Sequence, residues 1–173
     1  MKNILSYTKT AVILLLATVL FLGFYAYMLT RPISYGMSYS NKAVYDGVPF
    51  EGNLTFYPDG KMVNKNTNFD EALEDRYYYK NGYIFVLIAK TDAQYEAEVA
   101  YINENFEEAV DMPFYASKIN IFRQVSTGPD GYVATYTCTG AIVFAAAGGV
   151  FALALIALTV SSFVLSGKAK SKE

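Results

Sequence analysis

Residues 11–29 read AVILLLATVLFLGFYAYML, and residues 141–165 read AIVFAAAGGVFALALIALTVSSFVL. Neither stretch contains an Asp, Glu, Lys or Arg residue. A helix rises about 1.5 Å per residue, so about 20 apolar residues span the hydrocarbon core of a bilayer. We therefore predict a membrane protein in which two transmembrane helices, a helical hairpin, enclose a small domain.

The main alternative for the first stretch is a cleaved signal peptide, because Lys2 precedes it. The apolar region of such a signal has roughly 7–15 residues, and it ends at a small-x-small cleavage site. The first stretch is longer, and its end at residues 23–27 (GFYAY) offers no such site. We therefore expect an uncleaved anchor.

Lysines at the outer ends of the two stretches predict the orientation: Lys2, Lys9, Lys168, Lys170 and Lys172. Short cytoplasmic segments carry an excess of Lys and Arg, so both ends are predicted to be cytoplasmic, and only Arg31 opposes this. The predicted organisation is a cytoplasmic tail (1–10), a transmembrane helix (11–30), an extracytoplasmic domain (31–138), a second transmembrane helix (139–165) and a cytoplasmic tail (166–173).

The charge is unevenly distributed along the chain. Residues 31–138 contain nine Lys and Arg against fifteen Asp and Glu, a formal charge of −6, whereas the whole chain carries −2. The predicted outer domain is thus acidic between basic tails. We expect the lipid bilayer and a membrane or envelope protein, or further copies of the chain, as partners, and no nucleic acid.

Small residues recur at helical spacing in the second apolar stretch: Ala141, Ala145, Gly148, Gly149 and Ala152. Such positions let two helix backbones approach closely. The first interpretation of this candidate helix-packing face is intramolecular packing against the first helix. The second is homodimerisation or docking on a larger membrane partner.

The intervening residues carry strand and turn signals. Residues 33–40 alternate between apolar and polar side chains, and residues 52–57 and 61–66 flank the turn Pro58-Asp59-Gly60. Residues 76–80 and 83–89 flank Asn81-Gly82, a dipeptide that favours a tight hairpin turn. The run 83–89 is apolar on both faces and is predicted to be the central strand.

A helix is predicted to follow this strand. Thr91 and Gln94 fit a capping box, and Tyr95, Val99, Ile102 and Phe106 line one helical face. Residues 114–125 and 132–137 then favour strands on either side of a turn, and residues 64–75 could form a loop with one helical turn capped by Asn68. We expect an α+β domain in which an antiparallel β-meander of five to seven strands packs against this one amphipathic helix.

The composition limits the chemistry. The chain has no histidine, which is the commonest general base and metal ligand, and it has one cysteine, Cys138. An intrachain disulfide and a cysteine-based zinc site are therefore excluded for this sequence. The phosphate-binding and nucleophile-elbow motifs are also missing. We predict no catalytic residues, no metal site and no cofactor.

Carboxylates are the remaining candidate reactive groups, in two clusters: Asp70, Glu71, Glu74 and Asp75, and then Glu104, Glu107, Glu108 and Asp111. A solvated acidic surface is the first interpretation. Oxygen ligands for a divalent cation and a glycosidase-type carboxylate pair are the alternatives.

Tyrosine is abundant, and thirteen of the sixteen tyrosines lie in residues 31–138. Structural use of these residues is the first interpretation, because tyrosine favours strands. The alternative is a binding face at Tyr77, Tyr78 and Tyr79. Side chains alternate along a strand, so Tyr77 and Tyr79 would form a ladder on one face, able to stack on sugar rings or to anchor a protein.

The order of strands and turns over residues 35–90 resembles small lipocalin-like or meander domains of bacterial envelope proteins. The two-helix layout resembles accessory subunits of ion channels. We expect a non-enzymatic, membrane-anchored extracytoplasmic interaction module, an accessory or sensing component of a bacterial cell envelope. A subunit of an oligomeric channel or transporter, and an envelope enzyme that uses a carboxylate pair, are the alternatives.

Overall fold

The computed structural model describes residues 2–45, 48–66, 71–112, 115–128 and 133–170. The chain divides into two compact units. The helical unit comprises the residues up to Thr30 and those from Val143 onward, and the barrel unit comprises Arg31–Ile142.

The helical unit contains α1 (Lys2–Leu29) and most of α4 (Thr139–Lys170). Their apolar segments, Thr8–Leu29 and Thr139–Lys168, are long and apolar enough to span a membrane. Helix α1 includes residues 2–10 and α4 includes residues 166–170, which the sequence assigns to tails.

Hydroxyl groups join α1 to α4. The oxygens of Thr18 and Thr159 lie 2.9 Å apart, and both side chains are buried. Each hydroxyl also lies 2.8 Å from the carbonyl oxygen four residues earlier in its own helix. The hydroxyls of Thr8 and Ser166 form a second link of 2.9 Å. These polar groups are thus satisfied within the helix pair, as an apolar surrounding requires.

An aromatic ring of α1 packs against the small residues of α4. A Cβ atom on Gly148 would overlap the ring of Tyr25, and one on Gly149 would lie 3.5 Å from its hydroxyl. The same hydroxyl donates a hydrogen bond to the carbonyl oxygen of Ala145. Ala152 is buried as well. This part of the predicted helix-packing face therefore packs inside the chain, whereas Ala141 belongs to the core of the barrel unit.

Over the residues that the structure describes, the barrel unit is a closed antiparallel barrel of eight strands in sequence order. The strands are β1 (Ser38–Tyr45), β2 (Val48–Phe56), β3 (Lys61–Asn66), β4 (Leu73–Lys80), β5 (Tyr83–Leu87), β6 (Ala116–Ile119), β7 (Arg123–Thr127) and β8 (Val133–Thr137). Strand β8 pairs with β1 through Ser40 and Thr137, which closes the barrel. The antiparallel meander is confirmed, but the expectation of five to seven strands is wrong.

The strand count differs because residues 114–125 are not one strand. The side chain of Asn120 accepts hydrogen bonds from the backbone N–H groups of Phe122 and Arg123, and this turn separates β6 from β7. Strand β1 also begins later than predicted, because Gly36 adopts a positive φ of 73° and residues 31–37 leave the sheet. Strand β4 begins at Leu73; Asn68 and the helical turn it was predicted to cap lie outside the described residues.

The predicted amphipathic helix is split into α2 (Asp92–Glu104) and α3 (Phe106–Asp111), which meet at Asn105. The capping box at Thr91 and Gln94 is confirmed. Both helices cover the outer face of β4, β5 and β6, where Phe85, Leu87, Ala89, Ile102, Ala109 and Ala116 form a buried cluster. Arg76 contributes to this packing, since its guanidinium group lies 3.0 Å from Asp92 and 4.3 Å from the centre of the Tyr95 ring.

We predict that Gly148→Ala loosens the helix pair, because the added methyl group would overlap the Tyr25 ring. Overpacking of this kind costs about 1–3 kcal/mol. Gly23→Ala is the matched control, since nothing lies within 4 Å of its Cβ position. Thermal unfolding of the full chain in detergent, followed by circular dichroism, should show a lowered midpoint for Gly148→Ala alone. Equal midpoints for the two variants would contradict this packing.

Candidate functional site

The barrel interior is the candidate site, and the predicted tyrosine face lies partly inside it. Tyr77 is buried in the interior cluster and Tyr79 packs against that cluster. Tyr78 lies on the opposite face of β4, beneath α2, where its hydroxyl is 3.2 Å from the side-chain oxygen of Asn103. The three side chains thus alternate between the two faces of the strand, and ligand binding by Tyr77 and Tyr79 stays a prediction.

One end of the barrel is filled by residues 31–37, and we call it the closed end. Ile33 is fully buried there, beside Tyr39 and Cys138. The hydroxyl of Tyr39 accepts a hydrogen bond from the N–H of Ser34 at 2.9 Å and donates one to the carbonyl of Asn120 at 3.0 Å. The Ser34 hydroxyl donates to the carbonyl of Ile121 at 2.8 Å. The segment that precedes β1 is therefore fixed across this end of the barrel.

Aromatic rings fill the interior next to the closed end. Phe56 stacks edge-to-face on Tyr39 and Tyr77, with ring centres 5.6 and 5.2 Å apart. The Tyr77 hydroxyl donates a 2.7 Å hydrogen bond to the carbonyl of Tyr57. Met62 and Ile84 complete this cluster, and all these side chains are at most 5% exposed. This half of the interior is a packed apolar core.

The other half of the interior is polar. Directly paired residues of neighbouring strands share a face of the sheet, so the register places six uncharged polar side chains inside: Asn41, Asn64, Asn66, Ser117, Gln124 and Ser126. The hydroxyls of Ser117 and Ser126 lie 2.6 Å apart. Gln124 is 2% exposed, and its side-chain oxygen has no hydrogen-bond partner among the residues that the structure describes.

Charged side chains are distributed unequally between the two barrel faces. Asp75 is opposite Met62 and therefore belongs to the inner face. Among the strand residues whose side chains the structure describes, every Lys and Arg has outward register; Lys42, for example, pairs with Glu51, and Lys118 lies over the Tyr83 ring. The described interior therefore contains no cation that would favour an anionic ligand.

The acidic clusters do not converge on a metal site within the part of the chain that the structure describes. Glu104, Glu107 and Glu108 line a crevice at the junction of α2 and α3, with Phe106 beside them. Of the first cluster, Asp70 lies outside the described residues, and Glu71 and Glu74 are exposed.

Burial changes the acidity of the two interior tyrosines. Desolvation raises the pKa of Tyr39 to about 12, and the hydrogen bond from Ser34 offsets a smaller part of this shift. Desolvation, with Tyr35 and Asp59 adding smaller effects, raises the pKa of Tyr77 well above its usual range. Both hydroxyls therefore stay protonated in the folded barrel and act as hydrogen-bond donors.

No protein-family model matches the chain, and no curated protein or solved structure matches it.

The polar interior is the part of the site that sequence reasoning missed. Its β6 and β7 members, Ser117, Gln124 and Ser126, fall in the stretch interpreted as one strand, so their facing partners were not recognised. The available signal was Asn120, because asparagine commonly caps a tight turn through its side chain. A turn at Asn120 places Ser117 on β6 opposite Ser126 on β7.

Alkaline pH should destabilise the barrel through Tyr39. The pKa of the Tyr39 hydroxyl is about 10 in the unfolded chain and about 12 in the folded one. The protonated hydroxyl therefore stabilises the fold fully below pH 10, and this stabilisation is lost as the pH rises to 12. The loss is on the order of 2 kcal/mol.

Tyr39→Phe is the variant that tests this. It should be less stable than the wild type at pH 9, by about 1 kcal/mol for its lost hydrogen bonds, but its stability should fall less steeply between pH 10 and 12. Denaturant unfolding at a series of pH values measures both slopes. Parallel curves for the two proteins would show that Tyr39 does not titrate with folding.

Proposed function

We propose that the chain is a non-enzymatic, membrane-anchored interaction module whose barrel unit lies outside the cytoplasm. The exposed apolar surface of the helix pair is the observation that supports membrane anchoring. Although α1 and α4 pack on each other, large apolar side chains such as Leu20 (74% exposed) and Leu153 (69% exposed) face outward. A continuous apolar surface of this kind requires an apolar surrounding, which the lipid bilayer provides.

The orientation is supported by charge. Lysines precede the apolar segment of α1 and follow that of α4, and this arrangement favours cytoplasmic ends for both helices. The barrel sequence between them carries the net negative charge of −6 given above. The barrel would then face the outside, and we place it in a bacterial envelope because small ectodomains of animal cell surfaces are often rich in disulfides.

An interaction role is supported by the barrel surface. Helices α2 and α3 cover the outer face of β4, β5 and β6, whereas β1 and β2 present hydroxyl and amide groups on their outer faces. Ser40 and Asn53 are joined there by a hydrogen bond of 2.7 Å, and Ser38 and Thr55 by one of 3.1 Å. We place the contact with a protein partner on this face because α2 and α3 cover the opposite side of the barrel; the partner is either a membrane or envelope protein or a second copy of the chain.

An impermeant amine-reactive cross-linker added to intact cells tests location and interaction together. We expect a discrete cross-linked species, purified in mild detergent, whose linked peptides contain barrel lysines such as Lys65, Lys90 or Lys118, all of which are exposed. Lys168, also exposed but at the cytoplasmic end of α4, is the internal control and should stay unmodified.

Two results would contradict the proposal. Modification of Lys168 without the barrel lysines would reverse the orientation. If the barrel lysines were labelled but the chain ran only as a monomer, with no linked protein, the orientation would be supported and the interaction role excluded.

A further inference from the structure

Gln124 presents an unpaired hydrogen-bond acceptor to the barrel interior. Its side chain is 2% exposed, and it lies opposite Tyr136 on one neighbouring strand and Ile119 on the other. A buried amide oxygen without a partner costs about 1–3 kcal/mol. Such a group is retained where a water molecule or a ligand supplies the missing donor.

The polar half of the interior is more accessible to solvent than the apolar half. Asn41, Asn64 and Ser126 face inward by register, yet each is only half-buried, whereas the apolar half is almost completely excluded from solvent. Ser117, Ser126 and Ala134 are consecutive across β6, β7 and β8, so one side of this space is lined by small side chains. The interior of an eight-stranded barrel holds either packed side chains or one small ligand.

The lining indicates the chemistry of that ligand. Amide groups of Asn41 and Asn64 and the serine hydroxyls can exchange hydrogen bonds with hydroxyl groups. The rings of Phe50 and Tyr136 pack over Gly52, where a Cβ atom would lie 3.0 and 3.1 Å from them, so two aromatic rings lie beside the inward-facing Asn41. The inward register of Asp75 disfavours an anion.

We infer that the polar half of the barrel interior binds a small neutral molecule that carries several hydroxyl groups, about the size of one sugar ring. Gln124 accepts a hydrogen bond from a ligand hydroxyl at the floor of the site. The aromatic rings contact the apolar face of the ligand, and the asparagine and serine side chains bind its remaining hydroxyls. This site is independent of the anchoring role proposed above, because it lies wholly within the barrel unit.

Saturation-transfer NMR on the full chain in lipid nanodiscs tests the assignment without sugar-based detergents. The probes are glucose, N-acetylglucosamine and glycerol, with glucose 6-phosphate and choline as charged comparators. We expect saturation transfer to at least one neutral probe, and at least about tenfold weaker binding of glucose 6-phosphate, whose negative charge would be buried near Asp75 without compensation. Choline, whose charge Asp75 could compensate, tests whether the site prefers a cation instead.

Gln124→Leu should weaken binding of that probe about fivefold, the equivalent of one neutral hydrogen bond. Thr127→Val is the matched control, because Thr127 is an exposed residue with outward register on the same strand, and it should bind as the wild type does. Ser126→Ala, which removes one hydroxyl of the lining, provides a second variant if Gln124→Leu fails to fold.

Three results would overturn the inference. The first is saturation transfer to none of the neutral probes, which would assign the unpaired oxygen to an internal water. The second is binding of choline or glucose 6-phosphate alone. The third is binding that neither Gln124→Leu nor Ser126→Ala changes.

Discussion

The pairing of β1 with β8 is the constraint on which the barrel depends. Antiparallel strands in sequence order form a meander with two free edges unless the first strand meets the last. The pairing of Ser40 with Thr137 joins the first strand to the last and closes the barrel. It also makes the two chain ends of the barrel unit leave side by side at the closed end, where Ile33 and Cys138 share one core. A chain that enters and leaves a domain at one end suits a domain held by two helices.

Two kinds of contact give the helix pair its specificity. In the proposed bilayer, lipid would compete equally for large apolar side chains, so packing between the helices would depend on small residues and on hydrogen bonds. Gly148 admits the Tyr25 ring, and the Thr18 and Thr159 hydroxyls meet between the helices. The bulky side chains of both helices are left for an apolar surrounding. The barrel interior is also divided between apolar and polar side chains: a packed apolar half adjoins a polar half that contains Gln124.

Much of this architecture could be predicted from local sequence signals. The apolar stretches, the turn at Asn81-Gly82 and the cap at Thr91 each act over a few residues, and the structure has a helix or turn at each. Barrel closure could not be predicted, because it is a contact between residues 97 positions apart by sequence number. The site could not be predicted for the same reason, since facing partners across β6, β7 and β8 follow from register and not from composition.

Hydrogen–deuterium exchange of the full chain in lipid nanodiscs tests barrel closure most directly. The closing contact pairs Ser40 with Thr137, so the backbone amides around this pair, in residues 39–41 and 136–137, should be protected as strongly as those of β5 and β6. Fast exchange confined to β1 and β8 would show two open edges. The barrel would then be an open sheet, and the account of its enclosed interior would be wrong.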